Sequence, residues 1–450
     1  MADAQTVQVS QMLDERGIGA FHVKLIIWSL FIVLIDGYDI GAIAFAAPSL
    51  MKEWHFPPTE LGPLFSASLI GILFGSAIFG FVGDRYGRKA ALISANLVFG
   101  IFTLIAAWST NTTEMFWLRF FAGLGIGGVI PNAIAINAES APRRLRATMA
   151  IIAVGLVPIG GAIPGLMTAT LVPTYGWQIL FIVGGIVPIL IGLFGFFGLP
   201  ESIKFMALHE SQRDKMAAAV RSISPGTVVP ANARFVVEDE QQVQGFNPKY
   251  LFGQGLQLIT PLLWLLFALN LMGYFFLISW TPTLMTAAKL PPTTVALSGA
   301  SLQIGGTVGA LLLCWWLQKH RFLAVAIMFV IAIPVVGAIG YAGLTSQAAL
   351  LITIFFAGFF VLGIQSAINV IGALVYPTSL RANGSGWQLG VGRIGSIVGP
   401  LVGALFVGMS VERLYMWSAL PFVAGAVVCF VIWRLNEQRL ARHPELRDAQ

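Results

Sequence analysis

Twelve stretches of this chain are each long and apolar enough to cross a bilayer, and they fall into two sets of six. A spanning helix needs about 20 mostly apolar residues to cover a hydrocarbon layer of about 30 Å. The segments are 24–50, 60–83, 90–109, 113–138, 146–172, 177–199, 258–285, 294–317, 321–343, 347–376, 381–410 and 412–435. Asp, Glu, Lys and Arg make up only 10% of the chain, against roughly 25% in a soluble domain. The fold class expected is therefore an all-α membrane protein of twelve transmembrane helices in two pseudo-symmetric six-helix halves.

The boundaries follow from the polar breaks. A cytoplasmic N-terminal segment (1–23) precedes the first bundle (24–199), and a cytoplasmic loop (200–257) leads to the second (258–435) and a tail (436–450). The loop carries HESQRDK, a Pro/Gly-containing stretch and VEDEQQ, and reads as a linker with one short helix. Residues 1–23 lack the basic start, short apolar centre and small-residue cleavage site of a signal peptide, so helix 1 is expected to act as an uncleaved insertion signal. Cys314 and Cys429 both sit in apolar stretches and read as small core residues.

Orientation comes from the basic residues. With the N-terminus inside, 21 of the 26 Lys and Arg lie on the cytoplasmic side, and only Lys52, Lys289 and Arg413 lie outside. Both termini are thus expected in the cytoplasm. The net charge of +6 then reflects this bias, not a nucleic-acid footprint.

The halves repeat each other. Trp28, Leu30, Phe31, Gly37 and Tyr38 recur 236 residues later as Trp264, Leu266, Phe267, Gly273 and Tyr274. PRRLRA from Pro142 matches PTSLRA from Pro377, and at that offset Gly155 and Gly160 match Gly390 and Gly395. Gly71 and Gly75 match Gly305 and Gly309. Homologous halves are the plan of many secondary transporters, with substrate near the midplane between them. Features shared by both halves are expected to serve packing; those present in one half only are where chemistry is sought. Asp36, Asp39, Asp84 and Glu139 align with Met272, Phe275, Gln318 and Leu374, so all four acids belong to the first half alone.

Two of these acids stand in the motif DGYD, inside an otherwise oily helix. Asp36 lies 12 residues beyond Lys24, about 18 Å along a helix, and Asp39 lies one turn further on. Arg393 lies 12 residues beyond Arg381 and is about equally deep. A charge at that depth costs roughly 3 kcal/mol or more and usually faces a cavity or a partner. Asp36 and Asp39 are read as proton sites, since burial and a nearby arginine move a carboxyl pKa in opposite directions. The plainer alternative is a structural ion pair of Asp39 with Arg119 joining helices 1 and 4. Arg393 is read as the anchor for an anionic substrate, because its fork matches a carboxylate and keeps its charge. Tyr38 and Trp387 are read either as aromatic walls of that site or as packing between helices. Asn132, Asn137, Gln365 and Asn369 are membrane-embedded amides suited either to orienting hydroxyl groups or to tying helices together.

The stretch GFVGDRYGRKAAL (80–92) resembles the loop 2–3 signature of the major facilitator superfamily, and RFFAGLGIG (119–127) resembles its helix 4 pattern. DGYD, LPES at 199–202 and the segment MLDERGIGAFHVK are similar to the aromatic acid:H+ symporters of that superfamily. The resemblance spans nearly the whole chain and implies the major facilitator fold. It implies a cytoplasmic gate of Asp84, Arg85, Arg88, Glu139 and Arg146, supported by Arg381. It also places Arg119 with Asp36, Asp39, Glu139 and Arg393 among the transport-critical charges. WWLQKHRF departs from the pattern, with Gln318 where an acid is usual, which weakens any role for Lys319 or His320.

The function expected is proton-coupled uptake of a small aromatic carboxylate such as a hydroxybenzoate, by a monomer in a bacterial inner membrane. No cofactor or metal is expected beyond the proton. Symport of another organic anion or a sugar-like solute is the alternative, and a non-transporting membrane sensor is the alternative of another class. No catalytic residue is expected: the chain lacks GxSxG, HExxH and phosphate-loop motifs.

Overall fold

The computed structural model describes residues 6–223, 234–236, 248–253, 255–317, 321–376 and 380–442. Among them twelve helical segments are long and apolar enough to span a membrane. The first six are helix 1 (Ala20–Trp54), helix 2 (Leu61–Tyr86), helix 3 (Arg88–Ala106), helix 4 (Thr112–Ser140), helix 5 (Arg146–Ala153 and Val157–Thr170) and helix 6 (Gln178–Gly198). The second six are helix 7 (Ile259–Ala287), helix 8 (Pro292–Leu317), helix 9 (Arg321–Thr345), helix 10 (Gln347–Val375), helix 11 (Arg381–Leu405) and helix 12 (Val411–Ser418 and Leu420–Arg442). Helix 1 runs four residues past its expected bounds at each end. Helix 5 breaks between Ala153 and Val157, where Gly155 lowers helix propensity and Pro158 starts the second piece, a position that suits proline. Large apolar side chains such as Phe197 and Leu405 point outward, at 85% and 80% exposure, as a surface facing lipid requires.

Matched glycines explain the internal repeat. A Cβ at Gly71 or Gly75 of helix 2 would overlap the Phe120 or Leu124 carbonyl of helix 4. In the second half, Gly305 and Gly309 of helix 8 meet the Phe355 and Phe359 carbonyls of helix 10 in the same way. Likewise Gly160 seats helix 5 on Leu34 of helix 1, and Gly395 seats helix 11 on Ala268 of helix 7. Small residues permit this close approach, on which helix association in lipid depends. Gly155 and Gly390, also matched, do not pack this way: one sits at the helix 5 break and the other has no atom near its Cβ position.

The polar segments are more ordered than a linker. Thr6–Gln8 pairs in parallel with Arg234–Val236, and short helices occupy Val9–Arg16, Ile203–Leu208 and Arg213–Ile223. Leu13, Phe21, Ile203, Met206, Met216 and Val220 bury one another at the base of the first bundle. Met216, Ala219, Val220 and Ile223 recur at helical spacing, an amphipathic pattern within a charged stretch. VEDEQQ, most of the Pro/Gly stretch and residues 443–450 of the tail lie outside the described residues. So do Gln318, Lys319, His320 and the Cys314 side chain; Cys429 is buried, its thiol donating to the Phe322 carbonyl.

The halves meet where helix 1 packs on helix 7, helix 2 on helix 11 and helix 5 on helix 8. Phe65 stands edge-on to Trp280 at 5.6 Å, and the Ser66 hydroxyl donates to the Ile397 carbonyl at 2.8 Å. A Cβ at Gly165 would lie 2.8 Å from the Ala296 carbonyl. These contacts all lie toward the face of the bundle opposite the chain termini.

Candidate functional site

Helix 1 and helix 4 cross at a buried ion pair. The two terminal nitrogens of Arg119 donate in parallel to the two carboxylate oxygens of Asp39, Nη1 to Oδ1 at 2.6 Å and Nη2 to Oδ2. Both residues are at most 1% exposed, and the guanidinium lies 5.9 Å from the Phe181 ring centre. Fork-to-fork geometry of this kind is the strongest form of charged hydrogen bond. A pocket of about 20 Å³ beside the pair is lined by Ser68, Ile72, Phe275 and Ser279, and so touches both halves. That is room for a water molecule.

Asp36 is placed differently. It lies one turn closer to the terminus-bearing face and is 2% exposed, and its Oδ1 has no hydrogen-bond partner. Its electrostatic neighbours are Arg393 and Asp39. Arg393 belongs to helix 11 of the other half and is half-buried. Ile397 and Pro400 face helix 2, since the Ser66 hydroxyl reaches the Ile397 carbonyl and a Cβ at Gly62 would lie 3.2 Å from the Pro400 oxygen. Arg393, a turn before Ile397 on the same face, therefore projects between the halves just below their contact. Among the described residues Asp36 and Arg393 form no direct ion pair. An anion entering this gap would meet a guanidinium from one half and an unsatisfied carboxyl from the other.

Several expected wall residues are elsewhere. The Tyr38 hydroxyl donates to the Leu180 carbonyl of helix 6 at 2.7 Å, and its ring packs against Gly184 inside the first bundle. Asn132 donates to the carbonyls of Phe79 at 3.1 Å and Gly128 at 2.8 Å, tying helix 4 to helix 2. Asn137 donates to the Ser29 hydroxyl at 2.6 Å and the Ala133 carbonyl at 2.8 Å, tying helix 4 to helix 1. In all three the donor group is engaged inside the first bundle, while the buried Oδ1 atoms of Asn132 and Asn137 have no hydrogen-bond partner among the described residues. Trp387 stacks on Trp264 of helix 7 at 5.9 Å, about two turns from Arg393 toward the terminus-bearing face. Gln365 accepts from Asn270 at 2.8 Å, and Asn369 is exposed one turn away on the same face of helix 10. Asn270 and Gln303, which accepts from the Tyr274 hydroxyl at 3.3 Å, were legible only as further amides in apolar runs.

Three of the gate residues, Asp84, Arg88 and Glu139, form one network in the first half. Arg88 bonds Asp84 at 2.7 Å and Glu139 at 2.9 Å, and Glu139 accepts from the Ser202 hydroxyl at 2.5 Å. Glu139 thus takes Arg88 as its partner, not Arg146, whose buried Nε is unpaired. Arg85 points out beside Tyr86, and the Arg381 Nε donates to the Tyr376 carbonyl at 3.4 Å in the second half. Gly87 makes the turn with φ +102°, and a Cβ there would strike the Glu201 carboxylate. Glu201 accepts from the Lys89 backbone N–H at 3.0 Å and the Ser202 N–H at 2.8 Å. Burial pushes its pKa up, against the opposing pull of those backbone donors.

A profile of the Major Facilitator Superfamily matches residues 29–400 and, again, 263–449. The chain belongs to this superfamily. It is 33% identical to the 4-hydroxybenzoate transporter PcaK of Pseudomonas putida, over 95% of this chain and 96% of that one. It is 31% identical to a gallate transporter of Pseudomonas putida, over 94% of both. In three dimensions it matches an inward-facing bacterial homologue of the human lysosomal transporter Spinster with a TM-score of 0.75 at 16% identity, covering 94% of this chain and 99% of the other. That last likeness carries the fold alone. The chain is a multi-pass membrane transporter and not an enzyme.

Proposed function

We propose that the protein imports a small aromatic carboxylate together with a proton, as a monomer in a bacterial inner membrane with both termini in the cytoplasm. The observation that carries this is the placement of Asp36, whose Oδ1 has no hydrogen-bond partner among the described residues and whose charged neighbour across the halves is Arg393. Relatives named for 4-hydroxybenzoate and gallate support the substrate class, and the basic-residue bias supports the orientation.

The coupling follows from charge. Without substrate, the Arg393 guanidinium is the opposite charge acting on Asp36 and favours its ionised form. A substrate carboxylate seated on Arg393 neutralises that guanidinium. Asp36, buried and without another partner, then takes a proton. Anion and proton enter together, so the buried site keeps its total charge, and each binds better when the other is present. Asp39, held by Arg119, keeps helix 1 in place while this happens. The halves then rock about their contacts and release both to the other side.

Proteoliposomes carrying a trapped pH indicator test this with benzoate, hydroxybenzoates, phenylpropionates, shikimate and glucose. Acidification of the lumen with aromatic acids alone, lost in Asp36→Asn, is the expected result. Substrate flux with no proton movement would refute the coupling. Flux of glucose or shikimate in preference would refute the substrate class.

A further inference from the structure

A groove of about 910 Å³ opens at the terminus-bearing end of helices 3 and 6. Its upper wall is apolar, formed by Ile93 and Leu97 of helix 3 and Phe196 of helix 6. Its floor is the amphipathic helix Arg213–Ile223, which contributes Lys215. At the mouth Lys89 extends over the Phe196 ring at 5.9 Å, with Lys24 and Lys215 among its electrostatic neighbours. Among the described residues none of these three lysines forms an ion pair. The one carboxylate in the groove, Glu201, is turned onto the backbone N–H groups of Lys89 and Ser202. The mouth is therefore net positive, while Tyr86 and Phe196 beside it are 61% and 63% exposed. A tyrosine in the position of Tyr86 marks the membrane–water boundary.

Three lysines at a membrane boundary, above an apolar channel, match one kind of molecule. From Lys89 to Leu97 the channel follows helix 3 for about 12 Å, the depth of much of one acyl chain. Basic pockets between membrane helices hold anionic headgroups in this way. We propose that this groove binds an anionic glycerophospholipid, its phosphate among Lys24, Lys89 and Lys215 and one acyl chain along Ile93, Leu97 and Phe196. The lipid would fasten helix Arg213–Ile223 to helices 3 and 6, making the polar segment between the halves depend on the leaflet beneath it.

Native mass spectrometry of the delipidated full-length protein provides the test. Phosphatidylglycerol and phosphatidylethanolamine of matched chains are titrated in turn, with inorganic phosphate as competitor. One phosphatidylglycerol is expected to bind at least tenfold more tightly than phosphatidylethanolamine, and inorganic phosphate should not displace it. Lys89→Gln/Lys215→Gln should reduce the preference to parity. Lys24→Gln/Lys215→Gln, confined to exposed side chains, should reduce it severalfold with an unchanged unfolding temperature. Equal binding of the two lipids would overturn the proposal. So would a preference that survives in both double variants, or complete displacement by phosphate.

Discussion

Arg119 of helix 4 grips Asp39 of helix 1 through two parallel hydrogen bonds, and neither residue is more than 1% exposed. Removing one member leaves the other charge buried and uncompensated, which costs about 3–5 kcal/mol. Arg119→Ala is thus expected to lower the unfolding temperature in detergent markedly. Asp39→Leu/Arg119→Met replaces both charges with apolar groups and is expected to recover most of that loss. Thermal unfolding of the three proteins checks this; a double variant no more stable than Arg119→Ala would contradict it.

Arg393 carries the anion in this account. A charged hydrogen bond contributes about 1.5–3 kcal/mol, so Arg393→Gln should weaken 4-hydroxybenzoate binding about 10- to 100-fold. Arg393→Lys keeps the charge without the fork and should fall between the two. Equilibrium binding to purified protein measures each, and an affinity unchanged in Arg393→Gln would place the anion elsewhere.

The matched glycines make opposite predictions. A Cβ at Gly395 would overlap the Ala268 carbonyl, whereas Gly390 has nothing within 4 Å. Gly395→Ala is expected to destabilise the second half by forcing helices 7 and 11 apart. Gly390→Ala is expected to raise stability by about 0.5–1 kcal/mol, the usual gain from replacing a mid-helix glycine. Unfolding temperatures of the two variants distinguish them.

Glu201 gives a pH dependence. Burial lifts its pKa above the ordinary 4.5, so folding favours the protonated acid. Its contribution to stability is fullest below 4.5 and declines as pH rises through the folded-state value. Glu201→Gln keeps an acceptor for the Lys89 and Ser202 N–H groups but does not ionise. The wild-type unfolding temperature should therefore lose more than the variant's between acid pH and neutrality; parallel curves would contradict the sign.

Much of this was legible in the sequence because lipid makes few things cheap. Apolar runs gave the helices, and the glycines at 71, 75, 160, 305, 309 and 395 gave the helix contacts by recurring at offsets of 234 and 235. Asp36, Asp39, Arg119 and Arg393 were conspicuous because a charge in such a helix needs a reason, and Arg119 was already the alternative partner of Asp39. What stayed hidden was direction. Asn132 and Asn137 carry amides that suit a substrate, but their helical phase turns them into the first bundle, where Tyr38, repeated as Tyr274, also packs. Glu139 stands in sequence just before Arg143, Arg144 and Arg146, while the fold pairs it with Arg88. The helices of 200–257 were obscured by their charge, which hides a short amphipathic period.

The central claim is that an anion on Arg393 puts a proton on Asp36. The most direct measurement is proton uptake by the purified protein in weakly buffered detergent solution as 4-hydroxybenzoate binds, followed with a pH indicator. The account predicts uptake of about one proton per bound substrate in the wild type and none in Asp36→Asn. Binding with no proton uptake in the wild type, or full uptake retained in Asp36→Asn, would contradict it.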